Sequence, residues 1–285
     1  MNIDVAPLAN VATALAWARQ QGLDRLDAQL LLGHGLQQGR AWLIAHDDAA
    51  LAPAIGGAYI DHCRRRATGE PLAYIVGERE FHGLRLRVTP DVLVPRPDTE
   101  VLVDWALGLL PGLATARPQV LDLGTGSGAI ALAVAHRHPA AQVTATDLSA
   151  AALAVAQGNA AQLGLAIETA LGPWWQALAP GRRWDLVLAN PPYIAAGDPH
   201  LPALRHEPLL ALTPGGDGLG ALRQIIAGAP ARLAPGGWLL LEHGWDQAAA
   251  VAALLAQAGF AQVSTRSDIA ARPRCTGGCW QPPVA

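Results

Sequence analysis

Residues 120–135, VLDLGTGSGAIALAVA, constrain what this 285-residue chain can fold into more than any other stretch. An apolar strand runs through Asp122 and breaks into a turn carrying Gly124, Gly126 and Gly128. It then passes at once into an alanine-rich helix. Glycine allows positive φ and lets a ligand approach the main chain closely. In an open α/β sheet such a turn lies beyond the carboxyl end of a strand, where ligands settle.

The flanking pattern agrees. After Pro118, strands are expected at QVLDLG, AQVTATD, AIETAL, WDLVLAN and GWLLLEH, with helices over 127–137, 150–163, 219–233 and 247–258. Such alternation builds a mostly parallel sheet covered on both faces. Two closing strands, AQVSTRSD and RCTGGCW, are expected to form an antiparallel edge. Upstream, helical spacing dominates 11–20, 25–38, 40–46 and 53–68, with Gly22, Gly39 and Gly69 as breaks. From 73 to 95 the alternation reads as a β-hairpin, and Pro90, Pro95 and Pro97 stiffen a lead into a helix beginning near Asp98. The expected division is a helical bundle over 1–70, a hairpin and linker over 71–97, and an α/β domain over 98–285.

Composition removes several function classes. All 20 basic residues are arginine, which excludes lysine Schiff-base chemistry and a P-loop lysine. The formal net charge is −3, and residues 1–70 carry six Arg against seven Asp or Glu, so no direct nucleic-acid partner is expected. The longest uncharged run, 148–167, contains Gln157, Gly158, Asn159 and Gln162, which suit a helix on a sheet better than one in lipid. The opening residues show no basic region ahead of an apolar core. A cytoplasmic protein with no membrane partner is expected. Cys63, Cys275 and Cys279 lack CxxC spacing, and no His/Cys pair lies near the last two. Cys275 and Cys279 are read as residues of a C-terminal strand, and no disulfide framework and no metal are expected.

A glycine-rich turn by itself also occurs in dinucleotide oxidoreductases. Asp147, at the end of the second strand, can accept hydrogen bonds from the ribose hydroxyls of either NAD or S-adenosylmethionine. The spacing Gly-Thr-Gly-Ser-Gly departs from G-x-G-x-x-G, and Asp122 stands where it can face a cationic amino group. Both details favour the methyl donor. The donor site is therefore expected at Asp122, Gly124, Thr125, Gly126, Ser127, Gly128 and Asp147. Trp174 or Trp175, after the third strand, can pack on the adenine. In a purely structural role Asp147 would cap a helix, although Ser149 is the better cap.

The fourth strand runs straight into Asn190-Pro191-Pro192-Tyr193, on the same rim of the sheet. As a structural feature this is a stiff turn. As chemistry it suits a poorly nucleophilic, conjugated nitrogen. The Asn190 side-chain oxygen and the Pro191 carbonyl can both accept from one NH2 group, favouring a pyramidal nitrogen whose lone pair is free to attack. Tyr193 can stack on the planar group and hold it in line.

DLGTGSG, Asp147 and NPPY together resemble the pattern of class I (Rossmann-like) methyltransferases acting on exocyclic or amide nitrogens. VLVPRPDTE (92–100), RHEPLLAL (205–212) and LEHG (241–244) narrow the resemblance to protein-(glutamine-N5) methyltransferases of the PrmC/HemK type, over nearly the whole chain. The resemblance implies a seven-stranded sheet and S-adenosylmethionine as donor, with S-adenosylhomocysteine as product. It implies as acceptor the glutamine of the Gly-Gly-Gln motif in class I peptide chain release factors. It also implies that the helical N-terminal domain helps grip the factor; separately, a monomer is expected. Carried onto this chain, Gly124 to Gly128, Asp147, Trp174 and Asn190 would contact the donor, and Asn190 to Tyr193 would hold the amide. Arg96, Pro97 and Glu100 would shape the site. The tail ARPRCTGG departs from the family's more usual acidic, asparagine-containing stretch, which concerns the edge strand. An adenine-N6 methyltransferase acting on DNA or RNA shares the NPPY logic but would need a basic groove. An NAD oxidoreductase would need a hydride-transfer residue, and none is evident; His243 is read as packing.

Overall fold

The computed structural model describes residues 8–282; residues 1–7 and 283–285, at the ends of the expected first and last domains, lie outside it. The chain divides into two compact units, Met1–Gly77 and Glu78–Ala285.

The first unit is helical: α1 Val11–Gln20, α2 Arg25–Leu36, α3 Arg40–Ala45, α4 Pro53–Ala67 and α5 Leu72–Val76. Local chemistry sets its boundaries. Asn10 and Thr13 form a reciprocal capping box at α1, Asn10 Oδ1 accepting from Thr13 N at 2.9 Å and Thr13 Oγ1 accepting from Asn10 N at 3.0 Å. Asp24 caps α2 by accepting from Leu26 N at 2.7 Å. Val11, Ala14, Leu31, Leu32, Leu43, Tyr59 and Cys63 fill the core. The hairpin expected from 73 onward is corrected here. Residues 72–76 form one helical turn, closed by Gly77 at φ 81°, and Tyr74 and Ile75 are buried. The unit therefore runs past residue 70, and the hairpin proper is β1 Glu78–Phe81 with β2 Leu84–Arg87.

The second unit continues with α6 Glu100–Leu109, β3 Gln119–Leu123, α7 Ala129–Arg137, β4 Gln142–Asp147, α8 Ala150–Leu163, β5 Glu168–Leu171 and β6 Trp184–Ala189. Then follow α9 Leu209–Leu212, α10 Gly220–Gly228, β7 Leu233–Glu242, α11 Ala248–Gln257, β8 Phe260–Ser267 and β9 Pro273–Trp280. The helix expected over 219–233 is shorter. A tight turn at Ala229–Ala231 containing Pro230 ends it, and β7 begins at Leu233.

The seven-stranded sheet has the order β5-β4-β3-β6-β7-β9-β8 and is parallel except where β9 runs antiparallel to β7 and β8. Side chains alternate between two cores. Val120, Leu186, Leu188 and Leu240 face α6 and α7, whereas Leu121, Leu123, Val187, Leu239 and Leu241 face α10 and α11. Because β3 lies between β4 and β6, the chain reverses its direction of growth there and opens a crevice at the carboxyl ends. Register sets what meets in it. Leu123 is level with Thr146 and Ala189, and Ala189 with Leu241. Gly124, Asp147, Asn190 and Glu242 therefore leave the sheet along one rim.

Candidate active site

The glycine turn is a close-packed device. Gly124, Gly126 and Gly128 all have positive φ (76°, 55° and 84°). A Cβ on Gly128 would lie 3.0 Å from Leu132 Cδ1 and 3.2 Å from Ala156 Cβ, so only glycine lets α8 approach the start of α7 this closely. Gly126 N donates to Asp147 Oδ2 at 2.9 Å, and Ser149 N donates to Asp147 Oδ1 at 2.8 Å. Asp147 thus stays at the rim of the cavity, pinned by two backbone groups, while Ser149 caps α8 through Ala152 N. From α8, buried Asn159 donates to Ser127 O at 2.8 Å and to Arg87 O at 3.0 Å, tying the loop to the hairpin. Sequence reasoning took Asn159 only as a mark of polarity. Its helical spacing from Ala152, Val155 and Ala156, which puts an amide on the apolar face, was the available signal.

Asp122 is placed differently from expectation. It shares the parity of Val120, so it points toward α7, is fully buried and does not line the cavity. Oδ2 accepts from Thr125 Oγ1 at 2.6 Å and from Ala131 N at 3.2 Å. It thereby gives α7 the capping oxygen that Gly128 at the cap position cannot. Oδ1 has no hydrogen-bond partner. Burial pushes this carboxyl up to about 7, against the hydrogen bonds that favour its charged form.

The cavity, about 350 Å³, is walled by the glycine turn, Asp147, Trp174, Asn190 and Pro192, and by the segment reaching from Asp91 to Thr99. The tryptophans separate cleanly. Trp174 lines the cavity, and its ring would lie 3.2 Å from a Cβ on Gly124. Trp175 turns away, donating its indole N–H to Ile225 O at 3.0 Å and packing where a Cβ on Gly228 would lie 2.2 Å from its ring.

Within NPPY the four residues also divide. Asn190 and Pro192 line the cavity; Pro191 is buried beneath them. Tyr193 is not on the cavity wall. Its side chain packs on the α10/α11 core and its hydroxyl donates to Glu242 Oε1 at 3.5 Å. Burial, then the Glu242 charge, raises the Tyr193 hydroxyl above its ordinary value. Asn190 Nδ2 donates to Thr99 Oγ1 at 3.2 Å, which turns Oδ1 away from Thr99. Arg96 lines the cavity and bonds buried Glu207, which also accepts from Val94 N at 3.1 Å, so RHEPLLAL clamps VLVPRPDTE. Glu100 instead accepts from His82 N at 3.1 Å and supports the hairpin turn. His243 is fully buried, its ring bonded to Gly244 O and Thr276 Oγ1. Cys275 and Cys279 are buried in β9, and among the described residues no His, Cys, Asp or Glu group is assembled to hold a metal.

Two family models match the chain: a methyltransferase small domain over residues 106–217 and the PrmC N-terminal domain over residues 10–77, which ends where the first compact unit ends. The release factor glutamine methyltransferase of Bordetella pertussis is 55% identical over 90% of this chain and 95% of its own length. The chain belongs to the release factor glutamine methyltransferase family. The member from Burkholderia pseudomallei is 51% identical over 94% of this chain and 96% of its own length. The fold is shared more widely than the family. The 16S rRNA N2 G1207 methyltransferase of T. Thermophilus, solved with AdoMet and guanosine, superposes with a TM-score of 0.53 at 20% identity, covering 72% of this chain and 50% of that one. As a member of the family, this chain is a methyltransferase with a mixed, mostly parallel Rossmann-like sheet.

Proposed function

We propose that the protein transfers the methyl group of S-adenosylmethionine to the side-chain amide nitrogen of the glutamine in the Gly-Gly-Gln motif of class I release factors, acting as a monomer in the cytoplasm. The observation that carries this is the placement of Asn190. It leaves β6 beside the glycine turn, on the wall of the same cavity, with its carboxamide held by Thr99.

The residues of the cavity fit the donor. A carboxylate has about four lone-pair directions, and Asp147 uses two on Gly126 and Ser149, leaving two for the ribose hydroxyls. Trp174 offers a flat face beside the glycine backbone. The unpaired Oδ1 of Asp122 puts negative charge under the loop when ionised, which suits the donor's ammonium across the turn. When bound, S-adenosylmethionine supplies an electrophilic methyl on a sulfonium that departs as a neutral thioether.

The chain's own residues then act on the acceptor. Asn190 Oδ1 and the Pro191 carbonyl each accept one N–H of the glutamine amide, drawing the nitrogen out of conjugation and aiming its lone pair at the methyl. The nitrogen loses one proton to water as the new bond forms. Arg96 and Glu207 hold the far wall, and the helical unit grips the factor. Asn190→Ala is expected to lower kcat by at least about 100-fold, the scale of losing one pre-oriented group in the transition state. Donor affinity should fall less than tenfold. Near-normal turnover would sink the two-acceptor mechanism.

A further inference from the structure

Gln247 stands at the cap position of α11, just after LEHG leaves β7, yet its side chain makes no capping bond there. It reaches to the acceptor motif instead. Its Oε1 accepts from Gly244 N at 2.9 Å, and its Nε2 donates to Tyr193 O at 3.0 Å. Both partners are backbone groups of fixed polarity, one only a donor and the other only an acceptor. A carboxamide satisfies both from one position, and the two bonds fix which end of it points where.

The junction is closely packed. A Cβ on Gly218, whose φ is 80°, would run into Tyr193 O and stand 3.0 Å from Gln247 Nε2. A Cβ on Gly244 would lie 3.2 Å from Gln247 Oε1. Three segments, following β6, following β7 and preceding α10, meet at one half-buried amide.

That amide completes a hold on NPPY from both ends. At the near end β6 pairs with β3 and β7 as far as Ala189. Between the ends, Pro191 and Pro192 have φ fixed by their rings. Just beyond, Ile194 N donates to Leu212 O at 3.0 Å. With Tyr193 O held by Gln247, few main-chain torsions remain that could move the Pro191 carbonyl. Asn190 has Thr99 to orient its carboxamide, whereas the Pro191 carbonyl depends on the path of the main chain alone.

We propose that Gln247 is a positioning residue for methyl transfer, holding the Pro191 carbonyl in place through Tyr193 O. The proposal rests on the two-acceptor mechanism above and deepens it. Gln247 lies off the cavity wall, so its effect falls on kcat and not on donor affinity.

The test compares wild type, Gln247→Glu, Gln247→Met and Gly218→Ala with a purified release factor at pH 8, alongside donor affinity by calorimetry and urea unfolding. Gln247→Glu keeps the size and the bond from Gly244 N and loses only the donor to Tyr193 O. Its kcat should fall roughly tenfold, the scale of one hydrogen bond whose partner is left unsatisfied. Gln247→Met, which lacks both groups, should fall at least as far. Gly218→Ala presses on the same carbonyl from another side and should lose kcat too, with KM and donor affinity within about twofold throughout. A Gln247→Glu enzyme with the wild-type kcat would overturn the proposal. So would a loss of kcat matched by an equal loss of donor affinity, or one no larger than the unfolded fraction explains. If neither Gln247 variant folds, a folded Gly218→Ala enzyme with the wild-type kcat overturns it. Asn190→Ala, run in parallel, keeps the two readings apart. Near-normal turnover there removes the Asn190 half of the mechanism, whereas a kcat loss in Gln247→Glu still assigns the Pro191 half.

Discussion

Replacing Asp122 by Asn should remove a pH dependence that the glycine turn builds into folding. The carboxyl is fully buried, spends one oxygen on Thr125 and Ala131, and leaves the other unpaired. Burial raises it from 3.8 to about 7, so the folded state keeps a proton that the unfolded chain has already lost. The folded state binds more protons than the unfolded state across that window, and stability must fall as pH rises through it. Stability is highest below about pH 4, and the loss is complete above about pH 7. A shift of about three units corresponds to on the order of 4 kcal/mol. Asn cannot ionise, so the variant should gain on wild type by that order between pH 4.5 and 8. Urea unfolding followed by the fluorescence of the nine tryptophans, at steps across that range, reads the difference directly. Subtracting wild type cancels Glu242, which acts in the same direction, and His62 and His243, which are lowered and act in the opposite one. A difference that stays constant with pH would refute the coupling.

Asp147→Ala should weaken S-adenosylmethionine binding by roughly 100-fold or more, since two hydrogen bonds to a charged group are lost. Unchanged affinity in calorimetry would remove Asp147 from the ribose role. Gly228→Ala should destabilise the protein by about 1–3 kcal/mol, the usual range for overpacking, because the new Cβ would fall 2.2 Å from the Trp175 ring. An unchanged urea midpoint would show that the Trp175 packing yields easily.

What the sequence revealed follows its local chemistry. The bounds of α1 and α8 were legible because Asn10 and Ser149 cap them through neighbouring residues. The glycine turn was legible because Gly124, Gly126 and Gly128 stand at the positive-φ positions that favour glycine. Ala73 to Val76 misled for the converse reason. Their β-branched, alternating character suits a strand, but packing of Ile75, with Leu72 and Val76 against it, into the helical unit overrides propensity. Asp122 was expected to face the donor, and its side chain turns to Thr125 and Ala131 on the α7 side of β3. The parity of Val120 and Asp122 along β3 already directs it to α7, and its burial follows from that. The contacts of Thr99 with Asn190, of Glu207 with Val94 and Arg96, and of Glu242 with Tyr193 were not legible. They depend on the pairing of β6 with β7 and on RHEPLLAL closing over VLVPRPDTE, which no local pattern encodes.

The most direct test is methyl transfer from labelled S-adenosylmethionine to a purified release factor, with and without its Gly-Gly-Gln glutamine changed to alanine, followed by peptide mapping. The predicted result is one methyl on that glutamine amide in the intact factor and none in the variant. Equal labelling of both proteins, or label found only on duplex DNA offered in parallel, would contradict the proposed acceptor.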